Sequence, residues 1–142
     1  MWAELCLRSC LDGLRILIVD DHEATRNGVR RLLASHPNWD ICGEAADGFD
    51  AIEKTRLLRP QLILMDVSMP HLNGIDASRI IRSEMPDCAI VLVSQNDPAV
   101  VLAQANAIGA RGFVPKDELA SRLLPTLRRW PLRSPRSGAP PG

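Results

Sequence analysis

Leu62-Ile63-Leu64-Met65-Asp66-Val67-Ser68-Met69-Pro70 is the stretch whose reading decides the fold. Four consecutive apolar residues end in a carboxylate, and a proline-containing turn follows. An apolar run bounded by turn residues reads as a buried strand. Strands apolar on both faces belong to parallel sheets covered by helices. A carboxylate at the end of such a strand is costly to bury and has no packing role. Asp66 therefore reads as a functional residue.

The same pattern returns upstream, where Ile16-Leu17-Ile18-Val19 ends in Asp20-Asp21. Strand patterns cover 15–19, 40–45, 62–65, 89–93 and 112–114. Helical patterns lie between them, over 23–35, 48–58, 74–83 and 98–108, with a last one over 117–130. The first helix gathers Val29, Leu32 and Leu33 on one face. The second places Phe49, Ile52 and Leu57 near one face. The last spaces Leu119, Leu123, Leu124 and Leu127 helically, and Pro125 inside it predicts a kink or an early end. This alternation predicts an α/β fold, a doubly wound five-stranded parallel sheet with five helices.

Right-handed crossovers gather the C-terminal strand ends on one side, where ligands bind. Asp20 and Asp21, Asp66, Ser94 and Lys116 arrive at that edge from four strands. Three carboxylates repel one another unless a cation or protons neutralise them. Mg²⁺ (or Mn²⁺) favours such oxygen ligands. A carboxylate can also attack a phosphoryl group and form an acyl phosphate. Phosphoryl transfer depends mostly on positioning and charge neutralisation. Lys116 would serve as a point charge and Ser94 as a hydrogen-bond donor. A cap role alone would suit Asp21, ahead of the helix near Glu23. It does not account for three acids with a lysine opposite. His22, His36 and His71 show no ligand spacing and read as surface or loop residues.

The composition narrows the classes. The chain has 142 residues and is 46% hydrophobic, enough for one domain with a core. Its 17 basic and 17 acidic residues give no charge-based indication of nucleic acid or membrane. Only Lys54 and Lys116 are lysines. Cys42 and Cys88 sit in apolar runs as core residues, and no metal or disulfide spacing accompanies Cys6 and Cys10. No apolar run approaches the ~20 residues of a membrane span, and the first ten residues do not form a signal peptide. A cytoplasmic location is expected. The domain is placed at 14–130, behind an N-terminal extension over 1–13. A tail over 131–142, rich in Pro, Arg, Ser and Gly, is expected to be disordered. The arginines near the C-terminus read as a solvated face, and no direct DNA binding is expected.

Four segments together resemble the receiver domain of bacterial two-component response regulators, in its NarL/FixJ form. They are Ile18-Val19-Asp20-Asp21-His22; Leu64 to Pro70 with Gly74; Val93-Ser94; and Gly109-Ala110-Arg111-Gly112-Phe113-Val114-Pro115-Lys116. The resemblance implies a flavodoxin-like strand order 2-1-3-4-5. It implies that Asp66 is the phosphoacceptor. It gives Asp20, Asp21, Asp66 and the backbone carbonyl of Ser68 the placing of Mg²⁺. Ser94 and Phe113 become the switch hydroxyl and switch aromatic, and Lys116 the phosphate-contacting lysine. The implied donor is a sensor histidine kinase or phosphotransfer protein. The implied output is a downstream partner or self-dimer through the fourth helix, fifth strand and fifth helix, a surface including Val100, Val101, Gln104, Phe113 and Leu123. Three features depart from the family pattern. Asp117 follows Lys116 where a cis proline is common, so no cis bond is expected there. Gln95 follows Ser94 where a small residue is common, which predicts shading of the site. No NarL/FixJ DNA-binding domain is expected in the residues after 130, and the expectation is a stand-alone switch.

Two other functions compete. A phosphorylation-independent interaction module would keep the fold without the chemistry, which the intact acidic set disfavours. An Asp-nucleophile phosphatase needs a second acid two residues beyond the nucleophile, where this chain has Ser68. The favoured reading is a signalling switch, not an enzyme with turnover, that catalyses its own phosphorylation and slow dephosphorylation.

Overall fold

The computed structural model describes residues 13–128. The tail over 131–142, all but Gly13 of the extension, Cys6, Cys10 and Trp130 lie outside the described residues. Five strands and five helices alternate: β1 (Leu14–Val19), α1 (Glu23–Ala34), β2 (Trp39–Ala45), α2 (Gly48–Leu58), β3 (Leu62–Asp66), α3 (Gly74–Glu84), β4 (Ala89–Ser94), α4 (Pro98–Ile108), β5 (Gly112–Pro115) and α5 (Leu119–Arg128). A 3₁₀ turn over Lys116–Glu118 precedes α5. The sheet is parallel in order β2-β1-β3-β4-β5, as the resemblance implied.

The apolar runs work because successive side chains leave a strand on opposite faces. Leu17, Val19, Ile63, Met65, Ile90 and Leu92 face α2, α3 and α4 in one cluster. Ile16, Ile18, Leu62, Leu64, Val91 and Val114 face α1 and α5 in the other. β3 is buried along its whole length, Asp66 included. Pro115 closes β5, an edge strand, where its missing N–H disturbs no inner ladder. Cys42 and Cys88 are free thiols, and burial pushes Cys88 up to about 12, far from a reactive thiolate.

Two expectations are corrected, and of the two outcomes expected at Pro125 the early end does not occur. In α2 the buried stripe is Gly48, Ala51, Ile52 and Thr55, whereas Phe49 and Leu57 are 60% and 76% exposed. Small residues let α2 lie close to its neighbours: a Cβ on Gly48 would collide with the Leu72 carbonyl. Helix α5 does not stop at Pro125 but runs on to Arg128. An interior proline costs about 3 kcal/mol, and burying two leucines returns about 1.5–3 kcal/mol each. Leu123 and Leu127, on either side of Pro125, are both fully buried. Finally, Val101 and Leu123 belong to the core and not to an output surface. Of the residues assigned to that surface Val100 is exposed, while Gln104 and Phe113 are half-buried.

Candidate phosphorylation and metal site

The C-terminal edge of the sheet collects the acids. Asp20 leaves β1 and Asp66 ends β3, and each is only 3% exposed. Lys116, just beyond β5, reaches back between them. Its Nζ lies 2.9 Å from Asp20 Oδ2 and 3.4 Å from Asp66 Oδ2. One oxygen each from Asp20, Asp21 and Asp66 and one His22 ring nitrogen lie within 4.8 Å of one another.

The carboxylates are held very differently. Both oxygens of Asp20 are engaged: Oδ1 accepts from the His22 amide at 2.8 Å, and Oδ2 meets the lysine. Asp66 has only long contacts, from the Ser68 amide to Oδ1 and from Lys116 to Oδ2, both 3.4 Å. Bonds of that length are weak. Burial, with repulsion from Asp20, raises the Asp66 carboxyl to about 6, and Lys116 pulls the other way. Burial lowers the Lys116 ammonium, but contacts with Asp20 and Asp66 outweigh it, so its pKa is raised overall. Of the two buried carboxylates, Asp20 is closely held at both oxygens and Asp66 only by long contacts.

Asp21 does not cap α1: His22 is the N-cap residue, and no side chain caps the helix. Asp21 Oδ1 is instead buried without a hydrogen-bond donor, although His22 Nδ1 lies 3.1 Å away. An orphaned acceptor beside two further carboxylates fits a hard divalent cation, which takes oxygen ligands without needing donor directionality. Asp20, Asp21 and Asp66 could hold it.

Ser94, Phe113 and Ser68, the other expected site residues, lie toward the same edge. Ser94 is buried at the end of β4, and its hydroxyl accepts from the Asn96 amide at 2.9 Å. Phe113, on β5, packs half-buried against the larger core cluster. The Ser68 contact with Asp66 runs through the Ser68 amide. Gln95 is exposed. Gly74 is required at the head of α3, because a Cβ there would collide with the Asp66 main-chain carbonyl.

The residue pattern does not reveal three participants. His22 reads as a plain surface residue, yet its ring sits against Asp20 and Asp21. Arg26 and Glu44 form an ion pair behind the acidic pair. Glu44 lies near the end of β2, a strand without the continuous apolar run that marks β1, β3 and β4.

Two buried acids bridged by a lysine on a 2-1-3-4-5 sheet invite comparison with known proteins. The response regulator receiver domain family model matches residues 16–128. The chain belongs to this family. It is 32% identical over 115 residues to the transcriptional regulatory protein DegU of Brevibacillus brevis, covering 81% of this chain and 49% of that protein. A LuxR-family two-component response regulator from Aurantimonas sp. SI85-9A1 superposes with a TM-score of 0.78 at 31% identity, covering 82% of this chain and 84% of the other. The signal receiver domain of a NarL-type regulator from Mycobacterium tuberculosis gives 0.73 at 30% identity, with 82% and 98% covered. The receiver chain spans about half the length of the full transcriptional regulators it matches. Among the described residues no helix is long and apolar enough to cross a membrane.

Proposed function

We propose that this receiver accepts a phosphoryl group on Asp66 and uses it to switch a partner in two-component signalling. The observation that carries the reading is the Asp20–Lys116–Asp66 bridge, with Asp66 the loosely held member. An Asp66 oxygen attacks the phosphorus of a phosphohistidine on a sensor kinase or phosphotransfer protein. The P–N bond breaks, the imidazole leaves with the electron pair, and an acyl phosphate remains on Asp66. At neutral pH a carboxyl with a pKa of about 6 is mostly ionised and competent to attack. Lys116, already 3.4 Å from Asp66, stays beside the phosphoryl oxygens as their fixed positive charge. Asp20, Asp21, Asp66 and the Ser68 carbonyl would hold Mg²⁺ (or Mn²⁺), which would supply Lewis-acid neutralisation of the same oxygens. The Ser94 hydroxyl leaves the Asn96 amide to donate to the phosphoryl group, and Phe113 moves inward from its half-buried place. The protein so catalyses its own phosphorylation and slow hydrolysis, in the cytoplasm.

The switch acts through a two-state element. Its output face is α4–β5–α5, where Val100 and Leu102 are 51% and 54% exposed, and it engages a downstream protein or a second copy. The test is intact mass spectrometry after incubation with acetyl phosphate. Wild type should gain one phosphoryl group with Mg²⁺ and none with chelator, and Asp66→Asn should gain none. Equal labelling of Asp66→Asn would reassign the acceptor, and no labelling even of Gln95→Ala by a phosphohistidine donor would favour a phosphorylation-independent module.

A further inference from the structure

We infer that Arg26, backed by Glu44, is the positioning residue that sets the acidic pair for its metal ion, an inference resting on the reading just given. Arg26 lies in the first turn of α1 and its side chain is only 17% exposed. Its Nη1 donates to the Asp20 main-chain carbonyl at 2.7 Å, and its Nε donates to Glu44 Oε1 at 2.9 Å. The Asp20 amide in turn donates to the Ala45 carbonyl at 3.0 Å. Asp20 is therefore fastened on both sides of its backbone, to β2 through its N–H and to α1 through its C=O.

The carbonyl is the decisive half. It lies in the rigid peptide plane that joins Asp20 to Asp21. Fixing that oxygen fixes the direction in which both Cα atoms leave the plane, and hence where the two carboxylates start. Asp20 has other constraints, since the His22 amide and Lys116 hold its oxygens. Asp21 is held less firmly, because its buried Oδ1 has no hydrogen-bond donor and its polar neighbour is the exposed His22 ring at 3.1 Å. Its position depends on the backbone, and the backbone depends on Arg26. The guanidinium fork reaches the Asp20 carbonyl from one nitrogen and the Glu44 carboxylate from another, a rigid planar spread that a lysine ammonium, a single point, does not reproduce at this site. Glu44 aims the fork, and Arg30 also pairs with Glu44 without reaching Asp20.

The experiment compares Mg²⁺ affinity by isothermal titration calorimetry, and thermal stability in chelator, for wild type, Arg26→Lys, Arg26→Gln and Arg30→Gln. Groups that orient metal ligands typically change affinity 10–100-fold when removed. Arg26→Lys and Arg26→Gln should each weaken Mg²⁺ by about tenfold or more. Arg30→Gln, which removes an exposed partner of the same Glu44, should lose little stability and bind Mg²⁺ within about twofold of wild type. Arg26→Lys keeps charge and stem, so it reads out even if Arg26→Gln fails to fold. Wild-type affinity in Arg26→Lys, or an equal loss in Arg30→Gln, would overturn the inference and leave a plain staple between α1 and β2. A wild type that binds no Mg²⁺ would instead overturn the metal-dependent reading of the site itself.

Discussion

The two edges of the sheet treat polar groups in opposite ways. At the N-terminal edge Arg15 is fully served. Its amide donates to the Gln61 side chain at 2.8 Å, and its guanidinium donates to the Arg59 and Leu58 carbonyls at 2.6 and 2.5 Å. Those carbonyls are at the C-terminal end of α2, which needs acceptors satisfied and welcomes positive charge. At the C-terminal edge two buried acids share one lysine, Asp66 keeps only long contacts, and Asp21 Oδ1 has no donor. One edge is finished by the chain itself. The other is left short of positive charge, which a cation can supply and a phosphoryl group can then exploit. Local instability is concentrated where chemistry is to occur.

Lys116→Met should widen this contrast most. It leaves Asp20 and Asp66 buried with no counter-charge, a loss in the class of about 3–5 kcal/mol for broken buried pairs. Because Asp66 can escape by taking up a proton, destabilisation of about 3 kcal/mol is expected at pH 7.5 in chelator. Denaturant melts should show Mg²⁺ recovering part of it. A loss under about 1 kcal/mol would mean that the lysine is a surface-grade partner and that the edge is not short of charge.

Asp66→Asn is the converse, and its sign is opposite. The folded pKa of about 6 lies above the ordinary 3.8. Between these values the native state holds a proton that the unfolded state has lost, so stability falls as pH rises through the interval. Above about pH 6 the ionised Asp66 is a net burden that asparagine removes. Asp66→Asn should therefore stabilise the metal-free protein by about 2 kcal/mol at pH 7.5, with the gain shrinking toward zero near pH 4. Mg²⁺ should stabilise wild type more than the variant and narrow the gap. A gain independent of pH would place its cause outside the charge.

Much of this is legible in the residues, and the reasons differ by element. Apolar runs ending in Asp20, Asp66 and Ser94 identify strands, edge and site, because burial and strand period leave few alternatives. Helix α2 misleads because its large apolar residues, Phe49 and Leu57, are out of phase with the small ones that pack. Pattern reading weighs hydrophobicity, whereas close helix packing here selects Gly48 and Ala51. Pro125 leaves two outcomes open, a kink or an early end, because its cost is local while the burial of Leu123 and Leu127, which carries the helix on to Arg128, is tertiary. The Arg26–Glu44 link is invisible for a related reason: it depends on how β2 registers against β1, where Glu44 pairs with Ile18 across an irregularity between Ile16 and Leu17. No spacing along the chain encodes that shift.

Arg15→Ala tests whether the two edges are independent. It removes the bonds to the Leu58 and Arg59 carbonyls, and Arg59 holds the left-handed backbone that ends α2, at φ 49°. Water can replace a donor at this partly exposed end, so the expected loss is about 1 kcal/mol. Both bonds run to main-chain carbonyls, which carry no titratable proton. The loss should therefore be flat from about pH 5 to 8 and equal with and without Mg²⁺, unlike either change at the other edge. Strand β1 joins the two places, running from beside Arg15 to the residue before Asp20. If Arg15→Ala weakened Mg²⁺ binding as well as the fold, β1 would be transmitting displacement along its length. The satisfied edge would then be the foundation on which the strained edge is held.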